Sequence, residues 1–412
     1  RDTDRSRGLG DVYKRQVTLC VDYGDMAGMP ANVYFEVYDT CPVEETETAY
    51  AKIAGVEPLY AGYTDGQGRF EGTIELPAYI RKAYVLTPAF YARTLLEATR
   101  SGDMLTASAE SGAPANAAPA STRAKEYHST AVERDGWKTW LGSYDTTYGS
   151  IGYEYDGDLK VKNYGALLKA HASVFDTTKK CPKEYRSSRD LYLEKSAEVV
   201  ITLLGSNTCW NSSMGYYYYK TGNKPKSLAD ANVVMIFPNT QDGRWSNSPW
   251  ESRLYQGVER GTAVQLIYYP EIADGSKAGA TTVFPADYRI GFVLATNAWT
   301  NRLRAGDKKY RAATSDGLSV NNNGVAYQTP RTAVFRYTDK KSGINSVLFS
   351  FEDHTNDENF SDVVFTMTSN PVDAVTDIPS VDVNDGKKTA NVLRGIYAFE
   401  DLWPSRGDYD MN

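Results

Sequence analysis

Between residues 190 and 371 the chain carries eight short apolar runs, each cut off by a polar loop. They read AEVVITLLG, GYYYYKTG, ANVVMIFPN, AVQLIYYP, YRIGFVLATNAW, RTAVFRYT, INSVLFSFED and SDVVFTMTSN. Runs this short, rich in Val, Ile, Tyr and Phe and bounded by Gly, Asn and Asp, are strands rather than helices. Eight of them with intervening polar loops predict a sandwich or jelly roll. The excess of tyrosine, 31 against 13 Phe, fits half-buried strands. One short amphipathic segment, with Tyr164, Leu167, Leu168, His171 and Phe175 at helical spacing, predicts a single helix ahead of them. No stretch of eighteen apolar residues occurs, so no transmembrane helix is expected.

The same alternation marks a smaller unit over 17–106. VTLCVDY and ANVYFEVYD place an apolar residue at every second position. PLYAGYTDGQGRFEGTIELP reads as two strands joined by the turn Thr64 to Gly68, where Asp-Gly and a second Gly supply positive-φ residues for a tight hairpin. This unit resembles the transthyretin-like, carboxypeptidase-regulatory type of sandwich, which carries such a G-x-T-D-x-x-G-x-F hairpin. Residues 107–135 begin with ASAESGAPANAAPASTRAK, which lacks the apolar surface to fold and reads as a linker. The central sandwich is expected over 136–372, a connector over 373–390, and the start of a further domain over 391–412. The overall prediction is a mainly β chain of tandem β-sandwich or jelly-roll-like domains with one short helix.

Residues 1–16 are set aside as a non-native scar, because SRGLGDVYKRQ resembles the translation of a transposon-type sequencing adapter. The chain is accordingly expected to be a fragment whose signal peptide or lipid anchor preceded it and whose last domain is truncated. Removing those residues, with five basic and three acidic side chains, leaves 40 basic against 49 acidic. Residues 352–412 alone hold thirteen acidic and four basic side chains, the same net −9. A balanced body with an acidic end excludes a nucleic-acid partner, which needs a basic face, and favours a cation. The four cysteines (Cys20, Cys41, Cys181, Cys209) are read as buried free thiols, with two intradomain disulfides as the alternative in an oxidising compartment.

The acidity is organised. FEDHTNDENFSDVVF begins at Phe351, and FEDLWPSRGDYDMN begins at Phe399. From Asp357 the first copy runs Asp-x-Asn-x-Ser-Asp to Asp362; from Asp408 the second runs Asp-x-Asp-x-Asn to Asn412. Side-chain oxygens at positions 1, 3 and 5 of a loop can converge on one point, as a hard cation requires. The candidate ligands are Glu352, Asp353, Asp357, Asn359 and Asp362 in the first copy, with Glu400, Asp401, Asp408, Asp410 and Asn412 in the second. Neither copy is an EF-hand, since Gly at position 6 and Glu at position 12 are missing. The competing reading is a solvated acidic turn held by Asx-type hydrogen bonds.

These two acidic stretches, with Met214 to Tyr219, IFPNTQDG and IGFVLATNAW, resemble the LruC domain-containing proteins of Bacteroides-type bacteria. The resemblance spans nearly all of 17–412. It implies a secreted or outer-membrane surface protein, commonly a lipoprotein, built of β-sandwich domains of unknown function and ending in a LruC domain.

Other chemistry finds little support. The three histidines stand apart, and no Gly-x-Ser-x-Gly elbow or phosphate-binding loop occurs. Carboxylates clustered in runs repel one another and call for a counter-cation more than they make an acid–base pair, so no enzymatic activity is expected. Tyr216 to Tyr219 with Trp245, Trp250 and Trp299 raise an alternative, a carbohydrate-binding surface module. A degradative hydrolase is the weakest of the three. The favoured expectation is a calcium-binding surface protein serving adhesion or surface architecture, its ligand a glycan or a protein.

Overall fold

The computed structural model describes residues 14–24, 32–45, 50–109, 127–137, 139–161, 165–208, 210–241, 257–300, 310–339, 344–354, 357–378, 398–399 and 410–411. The fold is mainly β, in several sheets, with two short helices among the described residues, α1 (Ala131–Arg134) and α2 (Gly165–Val174).

The N-terminal unit contains β1 (Lys14–Asp22), β2 (Tyr34–Tyr38), β3 (Val43–Glu45), β4 (Tyr50–Lys52), β5 (Tyr60–Tyr63), β6 (Arg69–Pro77), β7 (Lys82–Leu86), β8 (Leu95–Ser101) and β9 (Met104–Ser108). Seven of these form one ladder in the order β5-β2-β7-β8-β9-β1-β6, with β3 and β4 paired separately. Alternate residues such as Val17, Leu19 and Val21 of β1 and Phe35 and Val37 of β2 enter one apolar cluster. The ladder therefore folds over on itself around a shared core.

One boundary and one connection differ from expectation here. β1 starts at Lys14, inside the segment set aside, because Lys14, Arg15 and Gln16 continue the register against Pro77, Leu76 and Glu75. The turn at Thr64–Gly68 forms, with Gly68 at φ +77° and Asp65 N–H donating to Arg69 O. It does not close a hairpin, however: β5 pairs with β2 and β6 with β1, at opposite ends of the ladder. The turn carries the chain across the core instead, and Phe70 packs on Phe35 at 5.1 Å and Tyr60 at 5.8 Å between ring centroids.

The central unit begins earlier than predicted. β10 (His128–Ser129) lies within the expected linker and pairs with β19 (Trp299–Thr300). One sheet joins β11 (Thr139–Trp140), β15 (Val234–Phe237), β14 (Ser213–Lys220), β18 (Tyr288–Ala295), β12 (Leu191–Leu193) and β24 (Val375–Thr376), with β20 (Arg311–Ala313) on β18. The other joins β16 (Ala263–Gln265), β13 (Ala197–Ser206), β23 (Val363–Asn370), β22 (Ile344–Phe351) and β21 (Thr332–Asp339), with β17 (Val283–Phe284) on β13. Since β24 pairs with β12, the sandwich extends into the predicted connector.

The two sheets face each other across a core in which Phe292 of the first meets Phe349 and Phe365 of the second, at 5.2 and 5.0 Å. The second sheet is covered on both sides. Val334, Val347, Phe349 and Phe365 point into the sandwich, whereas Phe335, Leu348 and Val364 point outward into the apolar cluster of the N-terminal unit and α2. That double covering explains the unbroken apolar runs of these strands.

The tyrosine run splits as period two requires. Tyr216 and Tyr218 face the sandwich core, while Tyr217 and Tyr219 face an outer apolar cluster around Trp137. Among the described cysteines, Cys20, Cys41 and Cys181 are free thiols, and Cys209 lies outside the described residues. No helix among the described residues is long and apolar enough to cross a membrane.

Candidate metal centre

The first acidic stretch forms the turn between β22 and β23, whose strands pair from Val347↔Met367 up to Phe351↔Val363. Glu352 and Asp353 leave the end of β22, and Asp362 leads into β23. Pairing at the neck of the turn thus brings residues ten apart in sequence side by side. The backbone N–H of Asp353 donates to Asp362 Oδ2 at 2.6 Å, and Asp362 N–H to Phe351 O at 3.3 Å. Glu358 and Phe360 adopt φ of +50° and +58°. These left-handed conformations are unfavourable for large side chains, by about 1–3 kcal/mol each. They curl the loop back over its own neck.

The result is a buried acidic centre. One carboxylate oxygen from each of Glu352, Asp353 and Asp362 lies within 4.8 Å of the others. Their side chains belong to residues only 1%, 3% and 2% exposed. Asp357 lies close enough for its charge to act on Glu352, and its Oδ2 accepts from Asn359 Nδ2 at 2.8 Å.

Neutral donors cover part of the centre. Thr208 Oγ1, from the loop after β13, donates to Asp353 Oδ2, and Phe360 N–H donates to Glu352 Oε2 at 3.1 Å. Glu352 Oε1 and Asp353 Oδ1 are buried with no hydrogen-bond partner. Arg331, 1% exposed, lies 3.4 Å from Glu352 Oε1 through Nη2, close enough for Coulomb attraction but without hydrogen-bond geometry. Its guanidinium also lies over the Tyr327 ring, at 4.8 Å.

Charge in this centre is poorly tolerated. Burial, then repulsion from Asp357 and Asp353 against the pull of Arg331, holds Glu352 well above the usual carboxylate range. Burial and the neighbouring carboxylates do the same to Asp362. Asp353 is pushed up to about 7, chiefly by burial. Asp357 is raised by burial as well. Glu358 behaves oppositely: burial works to raise it, but Arg186 at 3.3 Å and Lys180 at 3.4 Å outweigh this and lower it. The turn therefore has one satisfied acid outside and a crowded, under-compensated group inside. Oxygen-only donors, two of them orphaned, suit a hard divalent cation and lack the nitrogen or sulfur that zinc prefers.

Not every candidate ligand converges. Asn359 uses its amide to brace the turn: Nδ2 donates to Asp357 Oδ2 at 2.8 Å and Thr177 O at 3.0 Å. Its Oδ1 accepts from Ser361 N and Oγ at 2.8 and 2.5 Å. In the second stretch Asp410 falls in β26 (Asp410–Met411), opposite Phe399 of β25 (Ala398–Phe399). Glu400, Asp401, Asp408 and Asn412 lie outside the described residues.

Thr208 and Arg331, which the sequence reading missed, are distant in the chain and carry no local signal beyond a lone Arg ahead of an apolar strand. The described aromatic candidates are largely covered. Tyr216, Tyr217 and Trp299 are buried, and Tyr218 and Tyr219 are half-buried with their hydroxyls bonded to Tyr269 O and Asp190. Trp245 and Trp250 lie outside the described residues.

Comparison with family models matches two separate stretches of the chain. No curated protein and no solved structure matches it. Residues 15–109, the whole N-terminal ladder, match the family described as Domain of unknown function (DUF8469). Residues 284–370, which run from the last residue of β17 through β23 and contain every carboxylate of the buried centre, match Domain of unknown function (DUF4114).

Proposed function

We propose that the β22–β23 turn binds a calcium ion and that the chain is a non-enzymatic, secreted or cell-surface β-sandwich protein with an adhesive or architectural role. The observation that carries this reading is the convergence of Glu352, Asp353 and Asp362 in a buried site where two carboxylate oxygens have no hydrogen-bond partner. Buried ionised carboxylates need a counter-charge, and Arg331 alone does not balance three. A divalent ion with backbone carbonyls or water completing its shell would do so. Asp357, whose charge acts on Glu352, is the natural fourth carboxylate. The surface location rests on the resemblance to LruC domain-containing proteins, as does the expectation of a lipid anchor. Calcium at extracellular concentration would keep such a turn closed.

The test is calorimetric titration of the chelator-stripped full chain with Ca²⁺ and, in parallel, Mg²⁺. Calcium heat that Asp362→Asn abolishes is the expected result. An absence of heat together with an unchanged melting temperature in millimolar Ca²⁺ sinks the proposal.

A further inference from the structure

The acidic turn also borders the surface where the two units of the chain meet, through Phe360. Asn359 Nδ2, already holding Asp357, donates to Thr177 O at 3.0 Å. Thr177 in turn donates from both N and Oγ1 to Pro88 O, at 3.2 and 3.1 Å. Pro88 belongs to the loop between β7 and β8 of the N-terminal unit. Two residues beyond it, buried Phe90 sits edge-on to His171 of α2 at 4.6 Å. His171 Nε2 meets Ser350 Oγ at 2.9 Å, two residues before Glu352. Arg260, from the sandwich, clamps the same loop by donating to Tyr91 O at 3.0 Å with its guanidinium 5.9 Å from the Phe90 ring.

The apolar contacts run the same way. Phe360, from the acidic turn, is fully buried in the cluster that holds Phe90, Tyr91, Phe175 and the core of the N-terminal ladder. Phe360 has a left-handed backbone, φ +58°, and its N–H donates to Glu352 Oε2 at 3.1 Å, so the residue that enters the cluster also bonds to the acidic centre. Cys181 N–H donates to Glu358 O at 2.8 Å, and Arg186 lies over the Phe360 ring at 5.2 Å, so the segment after α2 is pinned to the turn as well. If mutual repulsion opens the turn, Asn359 and Phe360 must move. The contacts to Thr177 and to the interface cluster then move with them.

We infer that cation binding at the β22–β23 turn and docking of the N-terminal unit on the sandwich are linked, each strengthening the other. The inference rests on the calcium reading above. An ion that draws Asp357 and Asp362 together fixes Asn359 and Phe360, which form one wall of the docking surface. Linkage requires the converse: a docked N-terminal unit raises affinity for the ion by the same factor. The chain would then stiffen at its inter-unit joint when it meets calcium.

Hydrogen exchange on the full chain, with saturating Ca²⁺ against EDTA, tests this. Peptides covering 86–93 and 174–182 should exchange about tenfold more slowly with calcium, while 69–77, on the far edge of the N-terminal ladder, should not change. Conversely, Phe90→Ala and, as a milder variant, Arg260→Ala should weaken calcium binding by about fivefold or more, within the range of coupling between sites. Calcium binding in the calorimeter with unchanged exchange at 86–93 and unchanged affinity in both variants overturns the linkage alone. No calcium binding at all overturns the site and the linkage together.

Discussion

The backbone N–H of Asp353 donates to the side chain of Asp362 across 2.6 Å, at the neck of a turn that begins and ends on paired strands. This bond fixes one oxygen of Asp362 and leaves the two carboxylates facing each other inside a buried space. It survives replacement of Asp362 by the isosteric Asn, whose side-chain oxygen still accepts. The charge can therefore be removed without dismantling the turn.

Asp362→Asn should separate ion binding from folding. In EDTA the variant should be about as stable as the parent, because burial already favours the uncharged form of Asp362 and the amide oxygen keeps the bond from Asp353 N–H. In Ca²⁺ at a hundred times the dissociation constant the parent should gain about 2.7 kcal/mol, and the variant little. Thermal melts of both proteins in both buffers check this. An equal calcium response in the two would remove Asp362 from the ligand set.

Arg331→Met should destabilise the calcium-free protein by about 3–5 kcal/mol, as expected when one partner of a buried ion pair is removed. Its guanidinium is the cation beside Glu352 and also lies on the Tyr327 ring. Calcium should recover part of the loss by supplying positive charge at the same place. Urea denaturation with and without calcium measures both quantities; a loss of the same size in both buffers assigns Arg331 a packing role only.

Calcium should stabilise the protein more as pH rises. Asp353 titrates at about 7 in the folded chain and Glu352 and Asp362 are also raised, so without metal the folded state holds protons that the unfolded state releases. The stability this provides is fully present below the ordinary carboxylate range and is lost as pH climbs through about 7. Bound calcium holds the same groups ionised and removes that loss. His171, lowered by burial to about 3, has the opposite pH dependence but contributes to both arms and cancels in the difference. The difference in melting temperature, calcium minus EDTA, should therefore grow between pH 5 and 8. A flat difference argues against carboxylate ligands.

Gly291→Ala should damage the sandwich independently of any ion. An added Cβ there would lie 2.3 Å from the Tyr217 ring, which is fully buried against β18. Overpacking of this kind costs about 1–3 kcal/mol, read as a lower urea midpoint in EDTA and in calcium alike. Full stability in the variant would mean that Tyr217 is free to swing away.

Strand content and the place of the turn were legible in the chain because both depend on local pattern. Alternation in β6 and β8, and apolar runs such as that of β13, follow from which sides of a strand are buried. The spacing of Glu352, Asp353 and Asp362 around a short polar loop already implies that the β22–β23 ladder will bring them together. Tertiary structure decided what no local pattern carries. The Asp65 turn crosses a core instead of closing a hairpin, because β2 and β1 offer better ladders to the strands on either side of it. Asn359 serves as a brace because the carbonyl oxygen of Thr177, 182 residues away, accepts a hydrogen bond from its amide. The partners of the buried carboxylates, Thr208 and Arg331, lie outside the turn in sequence and reach it only through the packing of the sandwich. Local alternation records which face a residue takes, whereas the charge and solvent a side chain meets are set by whatever distant chain packs over it.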